Sequence, residues 1–131
     1  MKKKCIVLAD NHQNMLEGIR GLLEAISETV VMVADKKSLF EAVKKLKPYL
    51  AVVDLSLPVH SEINIAQELH KLHPDLKFII LSVHDEATAA QEAMASGASA
   101  YVLKRSVDTD LYEAVDQISK GLTYISPSMG N

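Results

Sequence analysis

Five polar or charged side chains directly follow short apolar runs in this sequence. They are Asp10, Asn11, Asp54, Ser82 and Lys104. Carboxylate and amide oxygens are ligands that a hard cation such as Mg²⁺ prefers, and a carboxylate can also act as a nucleophile that takes up a phosphoryl group. A lysine and a bound cation would then neutralise the charge of that group. The set therefore indicates phosphoryl transfer onto an aspartate with Mg²⁺ present.

A plainer alternative gives each of these residues a purely structural task. Asp10, Asn11 and Ser82 could cap the helices that follow them. Asp54 could open a turn, and Lys104 could simply be solvated. This explanation does not account for why separate apolar runs are followed by acids, by a hydroxyl and by a cation. A nucleotide site is disfavoured too, because the segment after the first run lacks phosphate-loop glycines and its carboxylate would repel a bare phosphate.

The apolar runs predict the elements that would position this chemistry. Each is rich in Val, Ile or Leu without polar alternation, which is typical of strands covered on both faces in a parallel sheet. The runs are 5–9, 30–34, 50–53, 78–81 and 101–103. Apolar stripes at helical spacing lie between them, so five strands alternate with five helices in a right-handed, doubly wound α/β sandwich. Such folds form their sites at the carboxyl ends of the strands, where the five side chains stand.

The composition of the 131-residue chain fits one globular domain, with 48% hydrophobic and 24% charged residues. A net charge of -3 offers no basic surface for nucleic acid, so any DNA contact is expected outside this segment. The single cysteine, Cys5, lies in an apolar run and is expected to be a small buried hydrophobe in a reducing compartment. No apolar stretch reaches the roughly 18 to 20 residues of a membrane span, so we expect a soluble, cytoplasmic protein without membrane contact.

These residues, taken in order, resemble the receiver domain of bacterial response regulators, the phosphoaccepting half of two-component signalling. The segments that carry the resemblance are Val7–His12, Val52–Pro58, Ile79–Glu86 and Gly97–Lys104. The ending 111–127 looks like the NarL/FixJ (LuxR-type) branch, whose members usually carry a C-terminal helix-turn-helix DNA-binding domain. The resemblance implies a flavodoxin-like (CheY-like) fold with strand order 2-1-3-4-5. It also implies a receiver domain over residues 1–125, with 126–131 as the start of a linker or a cut end of the chain.

The resemblance also implies a role for each residue of the predicted site. Asp54 would be the phosphoacceptor, and Lys104 would pair with the charge of the phosphoryl oxygen. Asp10, Asn11 and Asp54 would hold Mg²⁺, together with the backbone carbonyl of Ser56. Self-phosphorylation and hydrolysis would be weak catalysis incidental to signalling, so no enzyme is expected.

The remaining implied roles concern the conformational switch and the lifetime of the aspartyl-phosphate. Ser82 would hydrogen-bond a phosphoryl oxygen and move towards it, while Tyr101 would change rotamer as the loop after Ser82 moves. A phosphate, which adds roughly 1.5 to 2 negative charges, is an adequate trigger for such a change. Ser56 and His84 would tune how fast the aspartyl-phosphate hydrolyses.

Two departures from the family pattern bear on function. The family usually has a second acid where Asn11 stands, so Mg²⁺ affinity should fall, and phosphorylation could be slowed or lost. An atypical receiver, an interaction module independent of phosphorylation, is therefore the alternative. The family also usually has glycine where Glu62 stands, so the run 60–64 is expected to follow a different backbone path or to be mobile.

A phosphatase of the haloacid dehalogenase type is a weaker alternative. That chemistry needs a second aspartate, as general acid, two residues after the nucleophile, and Ser56 stands there. The expected partners are those of a receiver: a sensor histidine kinase, a second copy of the chain on phosphorylation, and DNA only through a domain beyond this segment.

Overall fold

One parallel sheet organises the computed structural model, which describes residues 3–11 and 16–127. Within those residues six strands form the sheet in the order β2-β1-β3-β4-β5-β6. The strands are β1 (Lys3–Asp10), β2 (Ser27–Val33), β3 (Leu50–Asp54), β4 (Lys77–Ser82), β5 (Ala100–Leu103) and β6 (Tyr124–Ile125). The predicted order 2-1-3-4-5 is confirmed, and the expected number of five strands is corrected by the short β6, which pairs with β5.

Helices cover both faces of the sheet, as predicted for buried strands. They are α1 (Leu16–Glu24), α2 (Lys36–Leu46), α3 (Val59–Leu72), α4 (Ala87–Ala95) and α5 (Val107–Ser119), with a 3-10 helix at Lys104–Ser106. Successive strand residues point to opposite faces. Val7 and Ala9 of β1 accordingly pack with α2, α3 and α4, whereas Ile6 and Leu8 pack with α1 and α5. Each face thus has its own apolar core.

The fourth helix is attached mainly through small side chains. Ala89, Ala90 and Ala93 are buried in the α2–α4 core, and Met94 is partly buried against it. Because alanine buries little apolar area, α4 gains less from packing than its neighbours do. Across residues 3–11 and 16–127, none of the helices combines the length and the apolar character that crossing a membrane requires.

A buried carboxylate joins the C-terminal segment to the sheet. Asp110 of α5 accepts hydrogen bonds from Ser126 Oγ and Ser106 Oγ, each at 2.7 Å. Ser126 Oγ also accepts from the backbone N–H of Leu103, at 2.9 Å. Burial alone would raise the pKa of Asp110, but the hydrogen bonds to its carboxylate outweigh burial and lower it.

Ser126 is buried and belongs to the packed part of the described chain. One expectation from the sequence differs in detail. Cys5 is partly rather than fully buried, and its burial raises the pKa of the thiol. Residues 12–15 and 128–131, which include Met15 of the predicted first helical stripe, lie outside the described residues.

Candidate functional site

The predicted acids and lysine meet at the carboxyl edge of the sheet. Asp10 and Asp54 end the neighbouring strands β1 and β3, and their Cα atoms are register partners. Both side chains are buried, Asp54 completely. Lys104 directly follows β5 and reaches across the edge, placing Nζ 2.9 Å from Oδ1 of Asp54. The lysine side chain is 13% exposed, so this ion pair is largely shielded from water and from salt screening.

Asn11 joins the loop after β1 to the loop after β3. Its Nδ2 donates a hydrogen bond to the backbone carbonyl of Leu55, at 3.0 Å. The next residue, Ser56, has a left-handed backbone with φ of 51° and an exposed side chain. A non-glycine residue in that region is uncommon and turns the chain sharply. The carboxamide of Asn11 therefore connects the two loops directly, and its Oδ1 is the oxygen it offers as a further ligand or acceptor.

The chemistry of the donor set fits Mg²⁺. Asp10 and Asp54 supply two buried carboxylates, and Asn11 Oδ1 and the carbonyl of Ser56, on the adjoining loops, would add neutral oxygens. Mg²⁺ prefers hard oxygen ligands and commonly takes one or two carboxylates from the protein. In the described part of the chain, no three His, Cys, Asp or Glu side chains group together as metal ligands. The site therefore has less negative charge than one with a third acid.

The hydroxyl of Ser82 lies at the centre of a buried hydrogen-bond network. Ser82 Oγ donates to Oε1 of Glu62 at 2.9 Å and accepts from the backbone N–H of His84 at 3.0 Å. The Tyr101 hydroxyl lies 2.9 Å from Ser82 Oγ and 2.7 Å from the carbonyl oxygen of His84, and it donates its single proton to one of these two oxygens at a time. Tyr101 is buried, and burial raises its pKa to about 12, so it stays protonated.

The Glu62 carboxyl is buried under α3 in this network. It is 6% exposed, and burial raises its pKa to about 7, although the hydrogen bond from Ser82 and the nearby His84 act in the opposite direction. The negative charges of Asp54 and Glu86 add to the upward shift. Glu62 therefore changes charge near neutral pH, which an exposed glutamate does not.

The loop after β4 is held in place from two sides. The His84 ring places Nε2 3.0 Å from the carbonyl oxygen of Leu57, which joins the loop to the one that follows Asp54. Asp85 forms an exposed ion pair with Arg105, at 2.9 Å, and the Arg105 guanidinium lowers the pKa of that carboxyl. The loops after β3, β4 and β5 are thus connected around Ser82.

The structure brings the sequence-predicted residues to one edge of the sheet, with Ser56 and His84 in the bordering loops. The run 60–64, expected to deviate or to be mobile, forms regular turns of α3. The involvement of Glu62 with Ser82 was not predicted, although a signal for it exists. Glu62 stands three residues before Ile65 and seven before Leu69, so it falls on the stripe of α3 that faces the sheet.

Comparisons with known proteins show what this chain is similar to. Residues 6–116 match the family model of the response regulator receiver domain. The chain is 32% identical over 126 residues to the transcriptional regulatory protein DegU of Brevibacillus brevis, covering 95% of this chain and 53% of that protein. It is 31% identical over 127 residues to the oxygen regulatory protein NreC of Staphylococcus carnosus (strain TM300), covering 95% of this chain and 58% of that protein. The chain therefore spans little more than half the length of these curated relatives.

A solved structure shares the fold over nearly the same length. The isolated REC domain of RcsB from Salmonella enterica serovar Typhimurium, in the presence of the phosphomimetic BeF3-, superposes with a TM-score of 0.82. Sequence identity is 26%, and the alignment covers 98% of this chain and 96% of that one.

Proposed function

Because the chain belongs to the response regulator receiver family, we propose that it is a phosphoacceptor switch in which Asp54 carries the phosphoryl group. The observation that carries this proposal is the buried Asp54 carboxylate with the Lys104 ammonium 2.9 Å away and Asp10 on the neighbouring strand. A lysine in that place neutralises charge that a phosphoryl group would bring. Receiver domains are generally signalling modules rather than enzymes, and any self-phosphorylation or hydrolysis here is incidental.

The transfer step has a simple balance. A carboxylate oxygen of Asp54 attacks the phosphorus of a phosphohistidine, the P–N bond breaks, the P–O bond of an acyl phosphate forms, and the imidazole leaves with its electron pair. The Lys104 ammonium attracts the new oxygens by its charge, while Ser82 can donate its hydroxyl proton to one of them. Ser56 and His84 border the site and control the access of the water that later hydrolyses the acyl phosphate.

Receiver domains generally bind Mg²⁺ at the acidic phosphorylation site, and here Asp10, Asp54, Asn11 and the carbonyl of Ser56 would hold it. When bound, the ion screens the phosphoryl charge against the carboxylates. Because Asn11 is neutral, the site should bind the ion less tightly than a site with an acid at this position, since hard cations are held chiefly by charge.

The output we propose is a change of protein surface. Ser82 and Tyr101 form the switch, because the Tyr101 hydroxyl contacts both Ser82 and the loop that leads to α4. The small buried area of α4 lets this helix respond to a shift of that loop. The proposed partners follow from the family: a sensor histidine kinase as phosphodonor in the cytoplasm, and a second copy of the chain that binds on phosphorylation.

Transcription control would then come through a domain outside this segment. DegU is named a transcriptional regulatory protein and is longer than this chain. The described surface supplies no argument for direct DNA contact, because the net charge of the chain is -3. We therefore assign DNA binding, in the natural protein, to a C-terminal domain controlled by the switch.

Incubation with acetyl phosphate and Mg²⁺, followed by intact-mass spectrometry, tests the phosphoacceptor proposal. The wild-type chain and the matched control Asp75→Ala, an exposed aspartate, should gain the mass of one phosphoryl group. Asp54→Ala should not. Equal mass gain in the Asp54→Ala variant would place the phosphate elsewhere and refute the assignment.

One observation favours the alternative of an atypical receiver. The hydrogen bond from Asn11 Nδ2 to the Leu55 carbonyl joins the two loops that a cation would otherwise join, so the site can be ordered without metal. Under this alternative the wild-type chain gains no mass with acetyl phosphate and Mg²⁺. The surface of α4 and β5 would then bind its partner in the unphosphorylated state.

A further inference from the structure

The Ser82 hydroxyl has three hydrogen-bond partners within the protein. The N–H of His84 donates to it at 3.0 Å, the hydroxyl of Tyr101 lies 2.9 Å away, and Ser82 itself donates to Glu62 at 2.9 Å. A serine hydroxyl has a single proton to donate. Ser82 therefore cannot donate to a phosphoryl oxygen on Asp54 while it donates to Glu62.

We propose that Glu62 is a positioning residue, a resident acceptor that holds the Ser82 hydroxyl in place of a phosphoryl oxygen and competes with that oxygen for the same proton. This inference rests on the proposed phosphoacceptor role of Asp54. It assigns regulation of the site to a side chain of α3 that approaches Ser82 from the α2–α4 side of the sheet. Glu62 acts through its hydrogen bond with Ser82.

The position of Glu62 makes the competition effective. Its carboxyl is 6% exposed, so if Ser82 turned away, little water could replace the lost hydrogen bond. The charged groups that face it are His84, whose charge would favour the carboxylate, and Asp54 and Glu86, which oppose it.

The arrangement also places Tyr101 without phosphorylation. Its buried hydroxyl points to Ser82 Oγ and to the His84 carbonyl, so a Ser82 held by Glu62 supports the inward position of the ring. Release of Ser82 from Glu62 would remove that support or transfer it to the phosphoryl group. Glu62 thus sets the fraction of molecules in which the Tyr101 ring is already in its inward position before Asp54 is phosphorylated.

The test uses beryllofluoride with Mg²⁺ as the probe, titrated into the wild-type chain, Glu62→Ala and the matched control Glu68→Ala. Glu68 lies on the exposed side of the same helix. Glu62→Met, which keeps the volume but offers only a weak thioether acceptor, serves as a second variant in case the alanine variant folds poorly. Binding is followed by the backbone amide resonance of His84, whose N–H donates to Ser82.

Removal of the competing acceptor should tighten beryllofluoride binding about tenfold in Glu62→Ala and Glu62→Met, and by less than about twofold in the Glu68 control. The same substitution in a Ser82→Ala background should change affinity by less than about twofold, because the shared hydroxyl is gone. An equal gain in that background would show that Glu62 acts by charge repulsion and would overturn the proposal. So would unchanged affinity in both Glu62 variants.

Spectra recorded without beryllofluoride separate this proposal from the proposed function. The His84 amide and Tyr101 ring resonances should shift in the Glu62 variants and not in Glu68→Ala, because the contact with Ser82 exists in the unphosphorylated protein. If no variant binds beryllofluoride but these shifts occur, the phosphoacceptor role fails and the hold of Glu62 on Ser82 stands. If the resonances stay unchanged, Glu62 does not position Ser82, whatever the binding result.

Discussion

Replacing Glu62 with glutamine should stabilise the protein above neutral pH and have little effect in mild acid. Glutamine has the shape of a protonated glutamic acid and keeps an oxygen that accepts from Ser82, but it carries no charge. The carboxyl of Glu62 is buried, and its pKa is raised from 4.5 to about 7. The substitution therefore removes the cost of a buried charge without leaving a cavity.

The magnitude follows from the shift in pKa. Each pKa unit corresponds to about 1.4 kcal/mol, so a shift of the size seen for Glu62 costs the folded protein about 3 kcal/mol once the group is ionised. The raised value means that the folded state binds more protons than the unfolded state between the two pKa values. The stability contributed by protonated Glu62 is thus complete below about pH 4.5 and is lost as the pH rises through about 7.

Urea unfolding of the wild-type chain and Glu62→Gln, followed by circular dichroism at a series of pH values, measures this difference. At about pH 8 the variant should be more stable by up to about 3 kcal/mol, a rise in midpoint of about 1.5 M for a slope of about 2 kcal/mol per M. The gap should close towards about pH 5. The exposed Glu68→Gln should differ from wild type by less than about 1 kcal/mol at every pH. A gap for Glu62→Gln that does not change with pH would refute the reasoning.

Three further substitutions test other parts of the structure. Asp110→Ala should lower the free energy of unfolding by about 2 to 3 kcal/mol, because Ser126 and its neighbours lose a buried acceptor, and a loss below about 0.5 kcal/mol would contradict this. Gly97→Ala should cost about 1 to 3 kcal/mol in the same assay, since φ is 113° and a Cβ would collide with His70. An unchanged free energy of unfolding would contradict this. Asn11→Asp should bind Mg²⁺ at least about tenfold more tightly in an NMR titration, and unchanged affinity would show that residue 11 does not face the ion.

Much of the fold was accessible from local pattern. The apolar runs located β1 to β5 to within a few residues, because strands buried on both faces must be apolar throughout. The short β6 was missed, since Tyr124–Ile125 is too brief to show a pattern of its own. Its pairing with β5 depends on where α5 ends and returns the chain to the sheet.

The candidate site likewise contains residues that the sequence predicts and one that it does not. Asp10, Asp54 and Lys104 were predictable because each stands at the end of an apolar run and all strand ends of a parallel sheet face one edge. The partner of Ser82 was not predictable from spacing. Glu62 lies 20 residues before it, and their contact depends on how α3 packs against β4.

The order of the elements and the identity of the residues at the sheet edge could be read from the chain, because both follow from its hydrophobic periodicity. Which polar side chains are buried together depends on the packing of the folded molecule. Glu62 with Ser82 and Asp110 with Ser126 become partners only when helices pack onto the sheet and exclude water, and the energy of a buried carboxyl depends on that exclusion.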